Sequence, residues 1–95
     1  MFIVLLRFSA NRAEAGQFMQ AHNEWLGRGF DDGVFAMAGS LQPEAGGVIL
    51  ARGASLTELR ARVDEDPFVA ADVVSAEILE FTPGRSDARL AFLKE

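Results

Sequence analysis

The stretch Val34-Phe35-Ala36-Met37-Ala38-Gly39-Ser40-Leu41, then Gln42-Pro43-Glu44-Ala45-Gly46, then Gly47-Val48-Ile49-Leu50-Ala51-Arg52 decides the fold. It reads as strand, turn, strand. The two apolar runs flank a Pro/Gly segment that cannot continue either of them, so the runs pair as a hairpin. On the C-terminal side, Gly53 ends the second run. Ser55-Leu56-Thr57-Glu58 then forms a capping box, with a hydroxyl at the cap and a glutamate three residues on. A short helix over about Leu56 to Asp64 follows, expected to bury Leu56, Leu59 and Val63. Asp66-Pro67 is a further helix start, cap plus proline at the first position. Val73 to Phe81 is a strand closed by Pro83-Gly84.

On the N-terminal side, Gly33 is a left-handed stop for a helix predicted from about Arg12 to Asp32. Asn11 with Glu14 resembles a capping pair at its start. Before it, Phe2 to Phe8 is a strand whose two alternating sets are both apolar, so both of its faces need cover. The order is strand, helix, strand, strand, helix, strand. That is the split βαβ arrangement of a ferredoxin-like α+β fold, βαββαβ, with four antiparallel strands and the helices on one face. The other face then exposes an apolar patch that calls for a partner. A homodimer, sheet against sheet or as a dimeric α/β barrel, is the simplest cover.

The chain has 95 residues, 49% of them apolar and 24% charged. It has room for one domain. The expected boundary puts the domain at residues 1–83, with a tail of residues 84–95 packing on the domain or on the partner subunit. The net charge of −5 argues against a nucleic-acid partner, because Arg52, Arg60 and Arg62 are interrupted by acids. The apolar start is too short to span a bilayer and has no basic region ahead of it. A cytoplasmic protein without a membrane partner is therefore expected. Cysteine is absent, which removes disulfides and thiolate chemistry. One histidine and no cysteine leave only carboxylates to complete a zinc or iron shell, so no metal and no cofactor are expected; the Gly46-Gly47 pair lacks the lysine of a phosphate loop.

His22 is the one histidine. It lies on the apolar stripe Ala15, Phe18, Met19, His22, Trp25, Leu26 and Phe30, at helical spacing, so it aims at the interior or at a pocket cut into it. Asp66, in Glu65-Asp66-Pro67-Phe68, supplies a carboxylate beside an aromatic anchor. Two readings stand for each. His22 is either a satisfied half-buried histidine or a general acid–base. Asp66 is a helix cap, an orienting partner for the imidazole, or both. Ser40, Trp25 and Phe68 are candidate pocket-lining residues, although turn chemistry for Ser40 and core packing for Trp25 are the simpler roles.

Several segments together resemble the YCII (YciI-like) domain family. They are Met1-Phe2-Ile3-Val4-Leu5-Leu6, Ala21-His22-Asn23-Glu24-Trp25-Leu26, Gly33 through Ser40, Gly47 through Gly53, and Glu65-Asp66-Pro67-Phe68 followed by Glu80-Phe81. The resemblance covers roughly Met1 to Pro83. It implies a ferredoxin-like fold forming a dimeric barrel and an active site of one histidine and one aspartate, matched here by His22 and Asp66. One branch of the family is linked to dechlorination of hydroxylated aromatics. Many members carry Gly-Pro where this chain has Gly39-Ser40. The expected function is a small cofactor-independent enzyme acting on a small organic molecule, aromatic compounds included, by His/Asp acid–base chemistry of lyase, isomerase or hydrolase type. The alternative is a non-catalytic ligand-binding or accessory dimeric module.

Overall fold

The computed structural model describes residues 1–94; Glu95, the end of the expected tail, lies outside the described residues. The elements are β1 (Phe2–Phe8), α1 (Ala15–Asp31), β2 (Phe35–Leu41), β3 (Gly46–Ala51), α2 (Leu56–Asp64), α3 (Pro67–Ala70) and β4 (Val74–Glu80). Short 3-10 turns cover Arg12–Glu14 and Ala88–Lys94. The strands form one four-stranded sheet in the order β2-β3-β1-β4, every pair antiparallel. Element order and strand order together are those of a ferredoxin-like fold.

Strand alternation decides what faces the helices. Phe2, Val4 and Leu6 are buried, and Val4 sits in register between Ile49 and Ile78. These side chains meet Trp25 of α1, Leu59 and Val63 of α2, and Phe68 of α3 in one core. Full burial of a side chain such as Leu59, at 0% exposure, contributes about 2 to 3 kcal/mol relative to leaving it in water. The opposite face carries the row Met37–Leu50–Ile3–Leu79 and, beside it, Val48 and Leu5. Met37 and Leu79 are exposed there. Arg7 and Glu77 pair on this face at 2.6 Å.

Local chemistry explains the boundaries. Gly33 ends α1 with φ +73, a conformation that a Cβ disfavours. Gly46 opens β3 with φ +133, and a Cβ there would run into the Leu6 carbonyl of the neighbouring strand. The box at α2 is complete: the Ser55 hydroxyl accepts from Glu58 N at 3.1 Å, and Glu58 Oε1 accepts from Ser55 N at 2.9 Å. The Ser55 backbone N–H, and after it the Ser55 hydroxyl, hold the Glu58 carboxyl below its usual range.

Three expectations need correction. First, Arg12–Glu14 is a 3-10 turn rather than the first turn of α1, and Asn11 does not cap it. The Asn11 amide instead donates to the Ala71 carbonyl at 2.9 Å, so a tertiary bond outcompetes the local cap. Second, Leu56 is 39% exposed, because α2 turns only Leu59 and Val63 onto the sheet. Third, the α1 stripe overhangs its support: Met19 and Phe30 are exposed. Phe30 still meets Phe35 edge-on, with centroids 6.1 Å apart. β2 also carries an irregularity between Phe35 and Met37 that makes Ala36 an extra residue against β3. The 3-10 turn Ala88–Lys94 lies near the start of β1, where Leu90 and Leu93 share a hollow with Met1, Leu50 and Phe81.

Candidate functional site

Asp66 follows α2 and caps α3. Its backbone is extended (φ −61, ψ 123), Pro67 takes the first helical position, and its side chain accepts from Phe68 N. That bond, Phe68 N to Asp66 Oδ1, is 3.0 Å long. Oδ1 also meets His22 Nδ1 at 2.8 Å, across 44 residues of sequence. A carboxylate only accepts, so Nδ1 carries the proton in this contact. Nε2 is then the ring nitrogen left to face a ligand. Asp66 is fully buried, whereas the His22 side chain keeps 14% of its surface open. Asp66 Oδ2 is buried and has no hydrogen-bond partner. The carboxyl group therefore depends on the two N–H donors that share Oδ1.

The imidazole is held by packing as well. It stacks on Phe68 with centroids 4.1 Å apart and planes 5° apart, and Trp25 lies 5.7 Å away on a second contact. His22 lines a cleft of about 240 Å³ between α1 and the lower end of the sheet, together with Leu6, Phe8, Met19, Ser40 and Phe68. A second hollow of about 180 Å³ adjoins it and adds Leu26, Ala38, Val48 and Ile49. The cleft exists because the row Ser40–Gly47–Leu6–Ala76 has no bulk at its second position.

His22, Asp66, Phe68 and Ser40 are thus brought to one place. Trp25 touches His22 from behind but lines neither hollow: it is 2% exposed, and its indole N–H donates to the Arg62 carbonyl at 2.9 Å. Its bulk supports the site from the core. Arg62 in turn pairs with Asp32 at 2.9 Å, tying α2 to the end of α1. Leu6, Phe8, Met19, Asn23 and Gly47 are among the other cleft residues, and sequence alone does not single them out as such. Strand alternation alone could have found Leu6, but Gly47 becomes visible only once its register against Ser40 is known. Among the described residues, no group of three or more His, Cys, Asp or Glu side chains is placed to hold a metal ion. No described helix is long and apolar enough to cross a membrane.

The family model for the YCII-related domain matches residues 1–82. The chain belongs to the YCII-related domain family. No curated protein matches it in sequence. Among solved structures it is similar to 5-chloro-2-hydroxyhydroquinone dehydrochlorinase (TftG) from Burkholderia phenoliruptrix AC1100, in complex with 2,5-dihydroxybenzoquinone. The TM-score is 0.69 at 16% identity, covering 88% of this chain and 96% of that one. At that identity the likeness speaks for the fold.

In this YCII domain Gly47 gives a clean probe of the cleft. A Cβ added there meets only the Gly39 carbonyl oxygen, at 3.5 Å, an ordinary contact. Gly47→Ala is expected to keep the fold, with a gain of up to about 1 kcal/mol from lost chain entropy, while placing a methyl group in the cleft floor. Thermal denaturation should therefore show no loss of stability, and any compound that the cleft holds should bind more weakly. A variant that binds as the wild type does would place the ligand elsewhere.

Proposed function

We propose that this YCII domain is a small enzyme that transfers a proton on a small organic ring compound held in the cleft, with His22 as the acid–base group and Asp66 as its positioning partner. The observation that carries this reading is the 2.8 Å contact between His22 Nδ1 and the buried Asp66 Oδ1 at the wall of a cleft. In that arrangement Asp66 accepts a hydrogen bond from Nδ1–H and fixes one tautomer. The Nε2 lone pair takes a proton from a substrate O–H or C–H. The resulting imidazolium is balanced by the Asp66 charge and returns the proton at another atom or to a leaving group. Phe68 keeps the ring from rotating, and the apolar walls contributed by Leu6, Phe8 and Met19 suit a flat ligand. The reaction of the TftG neighbour on a chlorinated hydroxyhydroquinone favours hydroxylated rings as the first compounds to test. The chemistry asks for no cofactor, and the setting is cytoplasmic.

The assay is exchange. A panel of hydroxylated aromatics and quinols is incubated with the protein in D2O, and loss of ring C–H signals is followed by NMR. Enzyme-dependent exchange of at least one compound, absent with His22→Gln, is expected. Binding of panel members without exchange or conversion by any of them would instead favour a ligand-binding module, in which Asp66 serves only as the α3 cap.

The working unit in this reading is a homodimer, with residues 1–83 as its domain and residues 84–95 as a tail. Support comes from the apolar row Met37–Leu50–Ile3–Leu79, which the helices leave uncovered. A second copy laid on that face closes it as a barrel. Light scattering should give twice the chain mass, and Leu5→Arg should return it to the monomer value. A monomeric wild type at micromolar concentration contradicts this.

A further inference from the structure

We infer that Arg12 is the anion anchor of the cleft, so that the ligand is a ring compound bearing an anionic oxygen substituent, held at Arg12 while its ring lies beside His22. The inference rests on the reading of the cleft as a ligand site and adds the class of ligand. The Arg12 guanidinium lies over the face of Phe8, its carbon 4.1 Å from the ring centroid. Phe8 belongs to the cleft that contains His22. It is also a wall of the hollow next door, lined by Arg12, Ser40, Gln42, Glu44 and Gly46. The two spaces adjoin and share Phe8, Ser40 and Gly46 as walls. A ligand that lies across these shared walls would meet Arg12 on one side and His22 on the other.

The position of Arg12 is built rather than incidental. The turn that carries it is tied to the segment between α3 and β4 by four hydrogen bonds. Ser9 N donates to Val73 O at 2.9 Å and Asn11 N to Asp72 O at 2.9 Å. Ser9 Oγ donates to Asp72 Oδ1 at 2.9 Å and the Asn11 amide to Ala71 O at 2.9 Å. The segment that receives these bonds follows directly on α3, whose cap is Asp66 and whose Phe68 stacks on His22. The cation and the imidazole are thus fixed by one piece of chain. Preorganisation of this kind lowers the cost of binding.

Charge sets the ligand class. Arg7, Arg62 and Arg89 each pair with a carboxylate. Arg12 has none within ion-pair distance among the described residues; its guanidinium meets an aromatic face instead. A guanidinium stacked on a ring keeps its N–H edge available, and that edge matches a carboxylate in a bidentate fork. Glu44 lines the same hollow and repels an anion from its side. The negative group is therefore directed to the Phe8 side, toward the cleft. In a chain of net charge −5, selecting an anion requires such a local cation, because the overall field opposes it.

The test compares 4-hydroxybenzoate with 4-hydroxybenzamide, near-isosteric probes that differ in charge. Each is titrated into the 15N-labelled protein and followed through the amide signals around Arg12 and His22. The wild type is expected to bind the carboxylate about tenfold more tightly than the amide, a preference that weakens with added salt. Arg12→Gln, which keeps the stem over Phe8, should erase the preference and leave the amide affinity unchanged. Arg12→Lys should keep part of it. His22→Gln should keep all of it, so a failure of the proton-transfer reading leaves this result standing. The inference is overturned if the preference survives in Arg12→Gln, if it disappears only in His22→Gln, or if the carboxylate probe does not bind at millimolar concentration.

Discussion

Asp66→Ala is expected to lower the free energy of unfolding by about 3 kcal/mol, the sum of a lost helix cap at about 1 kcal/mol and a buried ring N–H left without an acceptor at about 1 to 3 kcal/mol. Both terms come from one atom, Oδ1, which accepts from Phe68 N at 3.0 Å and from His22 Nδ1 at 2.8 Å. The loss is large against the roughly 5 to 15 kcal/mol that holds an ordinary domain together. Asp66→Asn separates geometry from charge. Its carbonyl oxygen can keep both contacts, and its amide takes the place of Oδ2, which has no partner to lose. It should cost about 1 kcal/mol from the newly buried amide donors. Urea unfolding of both variants reads the difference. Equal stability of wild type and Asp66→Ala would mean that the carboxyl group bonds neither partner in solution.

His22→Gln is expected to lower turnover by about 100- to 10,000-fold, the usual contribution of a positioned acid–base group. Stability should move by no more than about 1 kcal/mol, since the glutamine amide can still donate to Asp66 Oδ1 while the stack on Phe68 weakens. Ligand affinity should change little, because Leu6, Phe8, Met19 and Ser40 still form the cleft. The pattern sought is therefore a fall in kcat with KM nearly constant, measured on any compound that shows exchange. A variant with full activity would remove the imidazole from the chemistry. A variant that unfolds at low denaturant would mark His22 as a packing residue first.

The hairpin of β2 and β3 was legible because two β-rich runs flank a Pro/Gly turn, and its bounds agree with the structure to within a residue or two. The Ser55/Glu58 box and the Asp66-Pro67 start were legible for a similar reason: capping is local, and its residues lie within three positions of one another. Misreadings begin where a tertiary bond competes with a local one. Asn11 has the side chain of a cap but gives its amide to Ala71, 60 residues away. Trp25 and Met19 share the apolar stripe of α1, yet Trp25 is core and Met19 lies half open at the cleft. A helical period tells which side of α1 is apolar, not where the sheet beneath it stops. The meeting of His22 with Asp66 was suggested by residue type and by family resemblance. Its distance needed the fold, because α1 and α3 are far apart in sequence and pack directly on one another only once both lie on the sheet.

The most direct test of the account is the protonation of the two His22 ring nitrogens, read from their 15N shifts and long-range proton couplings. Asp66 accepting at Nδ1 predicts a single tautomer, with the proton on Nδ1 and the lone pair on Nε2 facing the cleft. Asp66→Ala should return the ring to a mixture of the two. A wild-type ring with its proton on Nε2, or one that averages freely between tautomers, would contradict the claim that Asp66 poises His22 for proton transfer.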